Sequence, residues 1–84
     1  MIDKGDVVYY ARIHPKTGTY DLCELHVRTV YESSFVGVDK STKQAFFVSL
    51  NDIDKYVFDN REDALRVVKE AEKDAKNFTI GEDE

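Results

Sequence analysis

Apolar and polar residues alternate along the chain, and the longest alternating stretch is Thr19 to Glu32. It holds no Gly or Pro and is rich in β-branched and aromatic residues, so it reads as one long strand with two unlike faces. Odd positions give Cys23, Leu25, Val27, Thr29 and Tyr31; even positions give Glu24, His26 and Arg28. The odd row is expected to face a core and the even row water. Val7 to His14 reads as a preceding strand, with Val7, Tyr9, Ala11 and Ile13 on one side and Val8, Tyr10, Arg12 and His14 on the other.

Pro15 ends that strand, and Lys16-Thr17-Gly18 suits a three-residue hairpin loop with Gly18 in the left-handed position. With Pro15 opposite Thr19, Ile13 meets Asp21, Ala11 meets Cys23, Tyr9 meets Leu25 and Val7 meets Val27, so the apolar rows coincide. On the other face Tyr10 meets Glu24, Val8 meets His26 and Asp6 meets Arg28.

Ser33-Ser34 breaks the long strand and Phe35-Val36-Gly37-Val38 starts a third, Gly37 marking a bend or a close backbone approach. Val36 and Val38 are expected to join the core row and Phe35 to point away. After a polar turn at 39–43, residues 44–50 form a fourth strand with Phe46, Val48 and Leu50 on one side and Phe47 on the other. Residues 51–54 form a turn and 55–58 a short closing strand.

Asp59 with Glu62, or Asn60, caps a helix running from about residue 60 to 77. Its stripe of Ala64, Leu65, Val68, Ala71, Ala75 and Phe78 is half alanine, so it packs closely on something flat. Glu62 with Arg66, Arg66 with Glu70, and Glu72 with Lys76 lie at i,i+4 on the exposed side. Residues 79–84 read as an acidic tail. The pattern predicts a single α+β domain, mostly β: a small SH3-like, partly open antiparallel β-barrel of about five strands with one C-terminal amphipathic helix over a mouth or edge. The second choice is a curled sheet with the helix across its concave side.

Charge sharpens this picture because it is unevenly placed. Residues 1–50 carry six acids and six bases, while residues 51–84 carry eleven acids and six bases, which holds the whole formal charge of −5. This balance argues against a general grip on nucleic acid and for a basic partner. One cysteine, on an inward row, is expected to be a buried hydrophobe in a reducing compartment. No apolar run approaches the roughly 18 residues of a membrane span, and the first residues lack the pattern of a signal peptide, so an unprocessed intracellular protein is expected.

Candidate chemistry is sparse. Strand parity sends Cys23 inward and His26 outward, which separates a thiol from an imidazole base. Cys23-Glu24-Leu25-His26 splits across both faces, and His14, His26 and Glu24 converge on a metal only in a strongly coiled sheet. Asp52-Ile53-Asp54 starts like a calcium loop, but Val57 and Asp63 stand where Gly and Glu are needed. Glycines are isolated, so there is no phosphate loop. Neither an enzyme nor a cofactor or metal site is expected. Aromatics in excess of what so small a core holds are the remaining feature. Tyr10, Phe35, Phe47 and Tyr56, with Glu62, Asp63, Glu70 and Asp74 on the helix, form the expected docking set for a basic partner protein. Lys16, Lys40, Lys43 and Arg12 mark the alternative, a nucleic-acid-binding barrel; a metal-stabilised interaction protein is a third reading. Unpaired sheet edges allow a homodimer.

Gly5 to Ile13, Cys23 to Val30, Phe35 to Lys40 and Val57 to Leu65 together resemble a group of small accessory proteins carried by phages and prophages of Gram-positive bacteria. The similarity spans most of the chain. It implies a phage accessory protein in the host cytoplasm, without assigned catalytic residues, and an anti-CRISPR-like role: an acidic inhibitor covering the basic channel of a DNA-targeting nuclease.

Overall fold

The computed structural model describes residues 2–83, and side chains over residues 2–75. Strands β1 (Val7–His14), β2 (Thr19–Val30), β3 (Ser34–Asp39), β4 (Ala45–Ser49) and β5 (Val57–Phe58) precede a helix, α1 (Arg61–Asp83). The five strands form one antiparallel sheet in the order β4-β3-β2-β1-β5. It is not closed: β4 and β5 are its two edges. The first four strands are a meander, and β5 returns beside β1 after a short 3-10 turn at Leu50–Asp52 capped by Ser49 Oγ.

The β1–β2 register differs by one residue from the expected one. Pro15 suits the first position of a 3-10 turn, because its φ is already set and it has no N–H to satisfy. The turn closes on Gly18, left-handed as expected at φ 70°, whose N–H donates to Pro15 O. The loop therefore includes Pro15, and His14 rather than Pro15 stands opposite Thr19. One step of slip exchanges the faces of a strand. Val8 now pairs with Leu25 and Tyr10 with Cys23 on the core side, while Val7 pairs with His26 and Tyr9 with Glu24 on the other.

A bulge between Val27 and Thr29 shifts the parity again inside β2. Cys23, Leu25 and Val27 are buried, but Thr29 is half-buried and Tyr31 exposed, so the odd row faces the core only as far as Val27. Beyond the bulge Val30 pairs with Phe35. Phe35, expected to point away, is 0% exposed and anchors the core with Ile2, Val8, Leu25, Val48 and Val57. Val36 and Val38 take the opposite face, paired with Phe47 and Ala45. The leading residues belong to the fold as well: Gly5 N–H donates to Val27 O, and Val27 N–H to Asp6 O.

The helix lies toward the β5 edge of the sheet, on the face opposite the main core cluster. It packs on β1, β2 and β5. Ala11, on the face opposite Val8 and Tyr10, is 1% exposed, and Ala64 and Val68 are buried outside the main cluster. Small residues on both elements allow the close approach that the thin stripe demanded. Asn60 caps α1: Asp63 N–H donates to Asn60 Oδ1 at 2.9 Å and Asn60 Nδ2 donates back to Asp63 Oδ2 at 2.8 Å, so the reciprocal pair lies one residue later than Asp59 with Glu62. α1 continues through residues 79–83, which were expected to be tail; Glu84 and the side chain of Phe78 lie outside the described residues. No helix among the described residues is long and apolar enough to cross a membrane.

Candidate docking surface

Where the N-terminal segment, β1 and the approach to β5 meet, they enclose a groove of about 560 Å³. Ile2, Val7, Val8, Ile53, Val57 and Phe58 supply its apolar walls and Asp6, Asp54 and Asp59 its charged groups; among the described residues no Lys, Arg or His lines it. Local folding places each carboxylate. Asp6 closes a tight turn, its Oδ2 accepting from Asp3 N–H at 2.9 Å while its own N–H donates to Asp3 O. Asp54 sits in the left-handed region at φ 69°, a conformation Asp tolerates better than most residues, and its N–H donates to Val57 O. Asp59 ends β5 beside the helix cap. A groove of this kind suits the aliphatic stem of an Arg or Lys on its walls and the cationic head among its carboxylates.

The residues expected to dock a partner are not brought together. Tyr10 is half-buried and turned inward, its ring edge-on to Phe46 at 6.1 Å. Phe35, at 0% exposure, cannot touch a partner in this fold, which corrects its assignment to the surface. Phe47 is 74% exposed on β4, beside Tyr31 with ring centroids 6.2 Å apart. Tyr56 is 42% exposed, in the turn before β5. On the helix, Glu62, Glu70 and Asp74 are exposed, but Asp63 is half-buried, bound to Asn60 and 3.6 Å from Arg66. Glu62 and Glu70 share a shallow hollow with Leu65, Arg66, Lys69 and Lys73, so this face alternates in sign rather than being acidic throughout. The groove escaped sequence reasoning because Asp6 is far along the chain from Asp54 and Asp59. The available signal was two acids, Asp54 and Asp59, bracketing a short apolar segment.

A polar group sits at one end of the core-facing side of the sheet. Asp39 is buried at the end of β3, and its Oδ1 accepts the N–H of Ser41 at 2.7 Å and of Thr42 at 3.0 Å, organising the β3–β4 turn. Those backbone donors, Thr42 first, hold its carboxyl below the usual range against the opposing effect of burial. Burial pushes the neighbouring Cys23 thiol up; Asp39 adds to this and Arg12 opposes it. Burial likewise raises Tyr10, with the Asp52 carboxylate adding to the effect. A raised thiol pKa is the reverse of what a nucleophile needs.

The outward row of β2 places His26 Nε2 3.6 Å and Lys40 Nζ 3.7 Å from Glu24 Oε2. Arg12 lies over the Phe46 ring at 5.3 Å. Two of the four bases of the nucleic-acid reading are thus engaged within the fold. Among the described residues no group of three or more His, Cys, Asp or Glu is arranged to hold a metal ion. No family model matches the chain, and no curated protein or solved structure is significantly similar to it.

Proposed function

We propose that this chain is a non-enzymatic binding protein that docks on a basic surface of a host protein and seats an Arg or Lys of that surface in the acid-rimmed groove. The observation that carries the reading is the groove: apolar walls around about 560 Å³, with Asp6, Asp54 and Asp59 as the charged residues among the described ones that line it. A carboxylate at such a site favours Arg through bidentate hydrogen bonds, and the excess acid after Leu50 steers a basic partner toward it. Tyr56, exposed in the turn between Asp54 and Asp59, extends the contact.

The scaffold in this reading is an SH3-like, partly open barrel, supported by the meander of β1 to β4, the 3-10 turn, and the return of β5 to β1. Taken with the resemblance to phage accessory proteins, the most concrete partner is a DNA-targeting nuclease in the cytoplasm of a Gram-positive host, inhibited in the manner of an anti-CRISPR protein. DNA cleavage by a purified CRISPR effector nuclease of such a host, titrated with this protein at low and moderate salt, tests the reading. Inhibition is expected to weaken with salt and to be lost in Asp54→Asn with Asp59→Lys. The reading fails if that double variant inhibits as well as the parent. It also fails if affinity capture from infected cells at low salt recovers no basic protein.

A further inference from the structure

The free edge of β4 is unusually undefended. Natural sheet edges are blunted by charge, proline, bulges or a covering element. β4, Ala-Phe-Phe-Val-Ser, has no charge and no proline, and its ladder with β3 runs without a bulge. The backbone bonds on its inner side identify which groups face out. Gln44 O accepts from Asp39 N–H at 2.8 Å and Leu50 N–H donates to Ser33 O at 3.0 Å. In an antiparallel ladder such bonding residues alternate. Residues 44, 46, 48 and 50 therefore direct their backbone toward β3, and Ala45, Phe47 and Ser49 direct theirs outward.

Those three outward residues are symmetric about Phe47. We infer that β4 pairs antiparallel with β4 of a second copy of this chain across a two-fold axis at Phe47, joining two five-stranded sheets into one. In that register Phe47 exchanges both backbone hydrogen bonds with its counterpart, and each Ala45 does so with the other copy's Ser49. The register also places the two Phe47 rings side by side on the outer face, each already leaning on its own Tyr31. Phe47, 74% exposed in the single chain, gains the apolar cover it lacks. The helix packs on β1, β2 and β5, and the groove carboxylates lie by β1 and β5, so joining the β4 edges does not oppose the acidic parts of two copies. A second copy meets the symmetry of the edge as no unrelated strand need do. The pairing is independent of what occupies the groove.

Sedimentation equilibrium of the full chain across a wide concentration range is the test. A reversible dimer is expected, since a five-residue strand pair is a small interface. Phe47→Lys puts like charges at the axis and is expected to weaken the dimer ~100-fold with the thermal midpoint nearly unchanged, because the side chain is exposed. Phe47→Cys is expected to form a covalent dimer with diamide, whereas Lys16→Cys, in the β1–β2 turn, is not. A wild-type chain that stays monomeric throughout overturns the inference. So does a Phe47→Lys variant that dimerises as before, or cross-linking at Lys16→Cys that equals that at Phe47→Cys.

Discussion

Gly37 lies against Leu25: a Cβ built on Gly37 would stand 3.0 Å from Leu25 Cβ and 3.1 Å from its Cδ1, with the Phe35 ring at 3.3 Å. The two residues occupy adjacent strands, and the missing side chain of one makes room for the fully buried side chain of the other. Gly37→Ala therefore has to displace Leu25 or bend β3, at a cost of about 1–3 kcal/mol. Urea unfolding measures it directly; an unchanged midpoint would mean that the sheet is looser here than the contact distances imply.

Asp39 ties the β3–β4 turn through its carboxylate, and the backbone donors of Thr42 and Ser41 keep its folded pKa below the ordinary 3.8. A depressed carboxylate contributes stability that is fully present above its ordinary value and fades as pH falls through the lowered one. Asp39→Asn keeps an acceptor oxygen but no charge. The variant is expected to be less stable at neutral pH and to lose less than the parent on acidification below about pH 4. Melting curves from pH 7 to pH 2 check this; parallel losses in the two proteins would remove Asp39 from the acid response.

Asn60 and Asp63 each satisfy the other's donor at the start of α1. Asn60→Ala is expected to cost about 1 kcal/mol, the usual value of a lost N-cap. Asp63→Ala also removes the exposed Arg66 pair, which contributes little by itself. Because the two residues act as a unit, the double variant is expected to fall short of the sum of the single losses. Strict additivity in a double-mutant cycle would contradict the reciprocal cap.

Cys23 is 7% exposed and its thiol is pushed up by burial, so it is expected to be neutral and shielded near pH 7. Labelling by a thiol-specific disulfide reagent is expected to be slow in the native protein and fast in denaturant. Rapid native labelling would show that the core around Cys23 opens readily.

The alternation of β2 was legible through Val27, as were the helix with its capping region, the left-handed Gly18 and the close approach at Gly37. The β1 face was not. Its parity depends on whether Pro15 ends the strand or begins the turn, and either choice satisfies local propensity because both rows of β1 carry bulk. The bulge at Arg28 was equally hidden: no Gly marks it, yet it sends Phe35 inward and Val36 outward. The acidic groove was hidden for a different reason, since it forms only where residues near 6, 54 and 59 are folded together. Single-residue shifts thus left the architecture readable while scrambling which side chains meet.

Val8 is 4% exposed on one face of β1 and Ala11 1% exposed on the other, with β2 and β5 bonded at its two sides. β1 is enclosed in this way although it is next to an edge of the sheet. Its amide protons can meet solvent only if helix, core and closing strand release together. Deuterium uptake should therefore be slow along β1, at rates approaching those of global unfolding, while in the dilute, dissociated chain the outward amides of β4 exchange orders of magnitude sooner.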